Sequence, residues 1–405
     1  MNTKEVKNTV TTRHRWMYVF LGIVIMMCLG TVYSYSIFRG PIEELYHAGT
    51  TKSGFPYMIA LAFYSLFMCL TGRFLDYYNP RTIMWVGSAL VVFGWILSAF
   101  APNIYILTLT YGVVSGAGVG IVYGAPMTVI ARWFPEKKGL TVGLILIGFG
   151  LSPLVTAPLA GKFIVAYGIK STFIIIGVAF LVILPMLSIP FRYPTEEEEC
   201  VFMHKVKKIV HDEEVETRDM IKTRSFKGLY GSFIVGTMIG LMLVGMTSSI
   251  GREFVGLSPN QVAGWMSFFA IFNGMGRPIY GFIADKISAK KAMLVSYLLI
   301  LTASVIMLFA SEGDMYLFVV AFAIFWFNLG GWLAIAPAAT LSLYGVKHYS
   351  QNYGVVFTAY GIAAVVGVMT SGIIMDFLKE YHYLFYFIIA LCAIGIFSSQ
   401  RYFED

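Results

Sequence analysis

Charge is scarce in this chain of 405 residues. Only 13% of its residues are Asp, Glu, Lys or Arg, about half the share a soluble domain carries. With 58% hydrophobic residues and a mean hydropathy of +0.74, a water-soluble globule is excluded. Cysteine is also scarce. Of four, Cys28, Cys69 and Cys392 fall in apolar runs and Cys200 in a polar stretch, and no CxxC pair exists. That pattern supports neither a disulfide framework nor a thiolate metal site. The apolar runs contain no HExxH, Ser/His or paired-Asp arrangement, so an intramembrane enzyme, a metal and a cofactor are all unsupported. They contain no buried carboxylate either, which counts against an exporter of cations or cationic drugs. The net charge of +7 comes without a basic helix or zinc spacing. It fits loops facing anionic lipid better than nucleic acid.

What the chain does have is long apolar runs, far longer than the 9–11 residues of a transmembrane strand. They fall at about 16–38, 54–75, 82–100, 104–131, 139–163 and 171–190. A polar stretch at 191–226 follows, and then further runs at about 227–250, 260–284, 291–310, 315–344, 352–376 and 382–400. The expected fold is all-α and membrane-embedded, with twelve transmembrane helices in two six-helix halves. The halves are 1–190 and 227–405, joined by a cytoplasmic linker at 191–226. The run from Trp16 is expected to stay in the protein as an anchor.

If the N-terminus is inside, Arg39, Lys52, Lys162, Lys170, Arg252 and Lys379 are the only Lys or Arg in external loops. All others except Arg277 then face the cytoplasm, and this bias predicts a multi-pass protein with both termini cytoplasmic. The sequence also repeats itself. GRFLDYYNPRT from Gly72 and GFIADKISAKK from Gly281 share Gly-x-x-x-Asp, and GVGIVYGAP ending at Pro126 matches GGWLAIAP ending at Pro337. Both pairs lie about 210 residues apart, which marks a duplicated transporter.

Arg277 stands in NGMGRPIYGFIADKI. Its nearest carboxylate, Asp285, is ~12 Å further along a helix rising ~1.5 Å per residue. With Asp285 at the edge of a hydrocarbon core ~30 Å thick, Arg277 lies near the midplane. There a lone arginine costs at least ~2.5–3.5 kcal/mol on insertion scales. A small anion bound to its planar fork would compensate, because guanidinium and carboxylate pair through two parallel bonds. An ion pair with a neighbouring helix is the structural alternative. By the same rise, Tyr123 in the fourth span and Tyr360 in the eleventh reach the same depth. Asn273 is one turn from Arg277 on the same face, and Asn328 and Trp332 share a face of the tenth span. Tyr33 in the first span is assigned to the outer vestibule. Candidate substrate ligands are therefore Arg277, Asn273, Tyr123, Tyr360, Trp332, Asn328 and Tyr33.

The two Gly-x-x-x-Asp loops resemble the signature of the major facilitator superfamily, and the resemblance extends over essentially the whole chain. It implies gating roles for Asp76 and Asp285, with Arg73, Arg81 and Arg132 as basic neighbours at cytoplasmic helix ends. In the first copy Tyr77 stands where a basic residue is usual and Asn79-Pro80 replaces a glycine turn. GTVYSYSIFRGPIE from Gly30, ARWFPEKKGLTVG from Ala131 and NGMGRP resemble the oxalate/formate antiporter and monocarboxylate porter branch. That resemblance implies that Arg277 binds the substrate. It also shows two departures. Tyr360 occupies the place of a helix-11 lysine of oxalate carriers, and Asn273 that of an aspartate of animal-type monocarboxylate porters. The implied function is secondary active transport of a small monocarboxylate of the lactate, formate or pyruvate type. Access would alternate between the two faces of the plasma membrane, by proton symport or by exchange for a counter-anion, in a monomer surrounded by lipid. The alternatives are an oxalate/formate-type dicarboxylate antiporter and a non-transporting sensor.

Overall fold

A computed structural model describes residues 3–75, 77–134, 138–195, 198, 215–345 and 348–403. Among them every regular element is helical. Helix α1 comprises Thr3–Leu29, a tighter turn at Gly30–Ser34, and Tyr35–Tyr46. Helix α2 is Thr50–Thr71 and α3 is Pro80–Ser98. Helix α4 comprises Ile104–Leu107, a π-helical stretch Thr108–Ser115, and Gly116–Trp133. Lys138–Ser188 is broken at Gly168, whose φ of 76° and ψ of 168° are not helical. That break divides it into α5 and α6. Glycine adopts this positive φ without the steric cost any side chain would add.

The second half repeats the plan. Helix α7 is Arg224–Ser249 with a π turn Ile250–Phe254, α8 is Pro259–Lys286 and α9 is Ala289–Leu308. Helices α10, α11 and α12 are Met315–Tyr344, Tyr349–Leu378 and His382–Tyr402. Among the described residues, ten helices are long and apolar enough by length and composition to cross a membrane, with Leu140–Ser188 counted as one of them and α8 not among them. Dividing that stretch at Gly168 and adding the 28-residue α8 gives the twelve spans expected from the sequence. Helix α8 misses the hydropathy threshold because it carries Asn260, Gln261, Asn273, Arg277, Asp285 and Lys286. Those polar groups are what make it interesting.

Polar residues in the connections start the helices. Asn79 accepts from Arg81 N ahead of α3, with Pro80 at the first position, and Asn103 accepts from two backbone N–H groups at α4. Ser258 and Gln261 form a reciprocal capping box at α8, followed by Pro259. Each cap satisfies donors that the first turn leaves open.

Helices α2 and α11 pack together along their length, as do α5 and α8, and these two contacts form the seam between the halves. Within the second half α8 lies against α10 almost backbone to backbone. A Cβ at Gly276 would fall 2.1 Å from the Phe327 carbonyl oxygen, and one at Gly330 would fall 2.0 Å from that of Asn273. Only glycine permits this approach, a common device of helices packed in lipid. The close fit fixes the rotation of α8 and so directs Arg277 into the seam.

Candidate functional site

Arg277 is 3% exposed. Its Nε, Nη1 and Nη2 are buried, and none makes a hydrogen bond of good geometry, although the Tyr123 hydroxyl lies within reach of the guanidinium. Asn273, one turn earlier and fully buried, likewise has both amide atoms unpartnered. The place a Cβ at Gly150 of α5 would occupy is 2.6 Å from Asn273 Oδ1, so this amide sits directly on the seam. Buried polar groups in folded proteins nearly always find partners. Two adjacent side chains with five unpaired nitrogen and oxygen atoms therefore mark a place built to meet something else.

The surroundings are aromatic. The electrostatic neighbours of Arg277 are the phenols of Tyr33, Tyr123 and Tyr353, and its guanidinium carbon lies 5.9 Å from the centre of the Phe149 ring. Phe149 meets Tyr33 and Tyr123 edge-on, at 5.1 Å and 5.4 Å. Tyr64 joins Tyr123, Phe149, Phe357 and Tyr360 at 5.0–5.8 Å. Phe357 stacks on Tyr360 at 5.0 Å. The Tyr33 and Tyr360 hydroxyls share a hydrogen bond of 2.8 Å across the seam. Edge-on rings present positive edges and phenols present donors. The groups that surround Arg277, referred to below as the central chamber, thus suit an oxygen-rich anion.

The structure brings together Arg277, Asn273, Tyr123, Tyr360 and Tyr33. Tyr33 belongs to the central cluster rather than an outer vestibule, since its hydroxyl bonds that of Tyr360 and its ring meets Phe149. Asn328 and Trp332 are not brought there. Asn328 accepts from the Tyr280 hydroxyl at 2.6 Å and donates to Ile324 O. Trp332 packs on Tyr297 at 5.1 Å and fills the space beside Gly236. Both lie within the second half, against α7, α8 and α9. The sequence reading missed Tyr64, Phe149, Tyr353 and Phe357.

Of the gating residues, Asp76 lies outside the described residues, and for Asp285 the backbone alone is described, in the last turns of α8. Arg132 sits over the Tyr193 ring at 4.1 Å. The Tyr193 hydroxyl donates to Leu75 O at 2.6 Å, which places Arg132 next to the loop that carries Asp76. Arg81 N bonds the Asn79 cap. Arg73 is exposed and lines a small cleft with Cys69, Thr217 and Gln351, where the two halves meet near the terminal face.

Twelve apolar spans in two related halves, with a buried polar cluster held between them, define a membrane carrier rather than an enzyme. Comparison with known proteins agrees. The profile of the major facilitator superfamily matches residues 16–250 and again 228–404. The oxalate:formate antiporter of Oxalobacter formigenes is 28% identical over 370 residues, covering 90% of this chain and 86% of that protein. Monocarboxylate transporter 9 of Rattus norvegicus is 21% identical over 453 residues, covering 92% and 89%. Among solved structures, a bacterial homologue of the human lysosomal transporter Spinster superposes with a TM-score of 0.67 at 16% identity, covering 95% of this chain and 93% of that one. The chain belongs to the major facilitator superfamily.

Proposed function

We propose that the protein exchanges small monocarboxylates, of the formate, acetate, lactate or pyruvate type, across the plasma membrane with both termini in the cytoplasm. The observation that carries this reading is the buried Arg277 guanidinium, unpartnered at all three nitrogens, in a chamber whose walls come from both halves. One carboxylate would neutralise it. Tyr123, Tyr33 and Asn273 would orient the bound anion, and Tyr360 would close the chamber through its bond to Tyr33. Among the described residues, the groups around Arg277 are phenols and an amide, so no second cation favours a dianion.

The same observation supports exchange over proton symport. A carrier that crosses the occluded state empty takes an unpaired charge through the membrane centre, at a cost of several kcal/mol. Loaded with a monoanion, it does not. Return is therefore fast only with an anion aboard. Asn273, which cannot titrate, stands beside Arg277 where a proton-carrying acid would be needed. The second reading is oxalate/formate-type exchange, favoured by the antiporter relative.

The test is counterflow in proteoliposomes. Vesicles loaded with unlabelled formate are given labelled formate, acetate, lactate, pyruvate or oxalate, with and without a pH gradient. Monoanion exchange that does not depend on the gradient is expected. Flux driven by the gradient without internal anion would replace exchange with symport.

A further inference from the structure

Among the described residues, the mechanism just described leaves two buried cations unused, Arg15 and the more deeply buried Arg39. Arg39, near the end of α1 farthest from the termini, is 1% exposed. In its own half Nε donates to Ser53 Oγ at 2.9 Å and lies 3.6 Å from Glu43 Oε1, while Nη2 donates to Thr50 O. Its Nη1 reaches across the seam instead. There it donates to Gly245 O at 3.1 Å and to Met246 Sδ at 2.7 Å, both on α7. Nearby, Asp376 of α11 accepts from the backbone N–H groups of Thr50 and Thr51 at the start of α2. These contacts hold the face opposite the termini closed.

Between Arg39 and the central chamber stands Tyr57 of α2. It is 1% exposed, and its hydroxyl has no hydrogen-bond partner. Its ring stacks on Tyr35 at 5.6 Å and lies against Gly245, where a Cβ would be 2.9 Å from its Cε1. Its electrostatic neighbours include Arg39, Tyr111, Tyr33 and Tyr360. Arg39, Tyr57, the Tyr33–Tyr360 pair and Arg277 thus form a polar sequence running inward from that face.

We propose that Arg39 and Tyr57 form a second, transient anion site through which carboxylate substrates reach Arg277 from the face opposite the termini. This rests on the anion-carrier reading above. Opening that face must part α1 from α7, which removes both acceptors of Nη1. The Glu43 carboxylate lies on the Nε side, so the Nη1 edge is left to the newly opened space with its charge only partly screened. An arriving carboxylate replaces the Gly245 carbonyl and the Met246 sulfur as acceptor. The Tyr57 hydroxyl then gives it a donor on the way to Tyr33 and Tyr360. Withdrawal of the anion inward frees Nη1 to bond α7 again, so passage of substrate and closure of the face are linked.

The experiment measures half-saturation for formate and for lactate, offered separately to each face of proteoliposomes in which the protein has one orientation. A charge-assisted hydrogen bond is worth about 1.5–3 kcal/mol, so Arg39→Gln should raise half-saturation at the opposite face about tenfold or more. At the terminal face it should change less than about twofold, a difference of under half a kcal/mol. A pure latch predicts the reverse. Losing it would favour the open state and lower half-saturation at the opposite face, and that result would overturn the proposal. Tyr57→Phe is the second variant, for it keeps the ring, the stack and the Arg39 contacts. It should raise half-saturation at the opposite face by about fivefold, the loss of one neutral hydrogen bond. Maleimide labelling of a cysteine introduced at Val368, beside Gly54 in the closed seam, should stay unchanged. Unaltered kinetics in Tyr57→Phe would sink the relay. Formate protection of the purified Arg39 and Tyr57 variants against thermal unfolding reports on Arg277 alone. Its loss in the wild-type protein would be a failure of the anion-carrier reading, distinct from failure of the relay.

Discussion

Replacing Arg277 separates a substrate ligand from a structural tie by the sign of a stability change. If the guanidinium tied two helices together, removing it would destabilise the empty protein. All three of its nitrogens are buried and unpartnered, which predicts the opposite. An unpaired arginine near the membrane centre costs at least about 2.5–3.5 kcal/mol on insertion scales. Arg277→Leu removes that cost, fills similar space among rings, and should raise the melting temperature of the empty protein. Binding should suffer in turn. Two charge-assisted bonds to one carboxylate contribute about 3–6 kcal/mol, which corresponds to roughly a hundredfold to ten-thousandfold in affinity. Arg277→Lys keeps the charge but replaces the fork with a point donor. It should lose about one bond, roughly tenfold to a hundredfold. The assay is thermal unfolding in detergent with formate or lactate titrated in. The wild type should gain stability with ligand concentration, Arg277→Lys should need far more ligand, and Arg277→Leu should not respond. An empty Arg277→Leu that melts below the wild type, or that binds formate with native affinity, would refute this reasoning.

Exchange flux should be flat between about pH 6 and 8. A carboxylate substrate with a pKa near ~4 stays ionised throughout, and the tyrosines facing Arg277 ordinarily titrate near ~10. Acceleration on acidification would point to a proton-carrying group instead. The Arg192–Glu198 pair should add no pH dependence there either: Arg192 holds the Glu198 carboxyl, ordinarily 4.5, down to about 2. A depressed acid lends its full stability above its ordinary value and loses it progressively as pH falls from there through about 2, so thermal unfolding should show no transition from this pair above pH 5 or so. Asp376→Ala removes the acceptor of two backbone N–H groups at the start of α2. A lost cap of this kind costs about 1 kcal/mol, so labelling of a cysteine at Val368 should rise roughly fivefold; unchanged labelling would show that the carboxylate does not hold the closed face. Tyr360→Lys adds a second cation to the chamber and should move binding from formate toward oxalate, read by competition on the purified protein. Tighter oxalate than formate binding by the unmodified chain would overturn the monoanion assignment.

The spans were legible because hydropathy is a property of each run by itself. The break at Gly168 and the caps at Asn79, Asn103 and Ser258 are local in the same way. Arg277 was legible because a cation in an apolar run is an exception that needs a reason. The rings around it were not, since 33 Phe and 25 Tyr give no basis for choosing Tyr64, Phe149 and Phe357 over the others. Asn328 and Trp332 show the limit of periodicity. They do share one face of α10, but periodicity cannot say which neighbour that face meets. Gly276, Gly330 and Gly331 draw α10 so close to α8 that Asn328 bonds Tyr280 of that helix, away from the seam. Tyr33 was misplaced because helix rise gives only depth along one span and does not show which partners, here Tyr360 and Phe149, a side chain meets.

One signal in the sequence does reach the missed rings. The repeat that aligns Gly72 with Gly281 also aligns Tyr64 with Asn273, and the one that aligns Pro126 with Pro337 aligns Phe149 with Tyr360. All four of these positions lie in or beside the central chamber. The duplication therefore preserved where side chains enter the chamber and not what they are. By the same alignment, Arg277 corresponds to Met68, so the first half offers rings and hydroxyls while the second offers the charge. Under the proposed function, an anion held mainly by α8, but closed in by Tyr33, Tyr64, Tyr123 and Phe149 of the first half, would have to break and remake its contacts with that half if the halves rock. Its bond to Arg277 can persist through the cycle. Substitutions in the first-half rings should consequently change the rate of exchange more than the affinity, whereas substitutions at Arg277 should change affinity first.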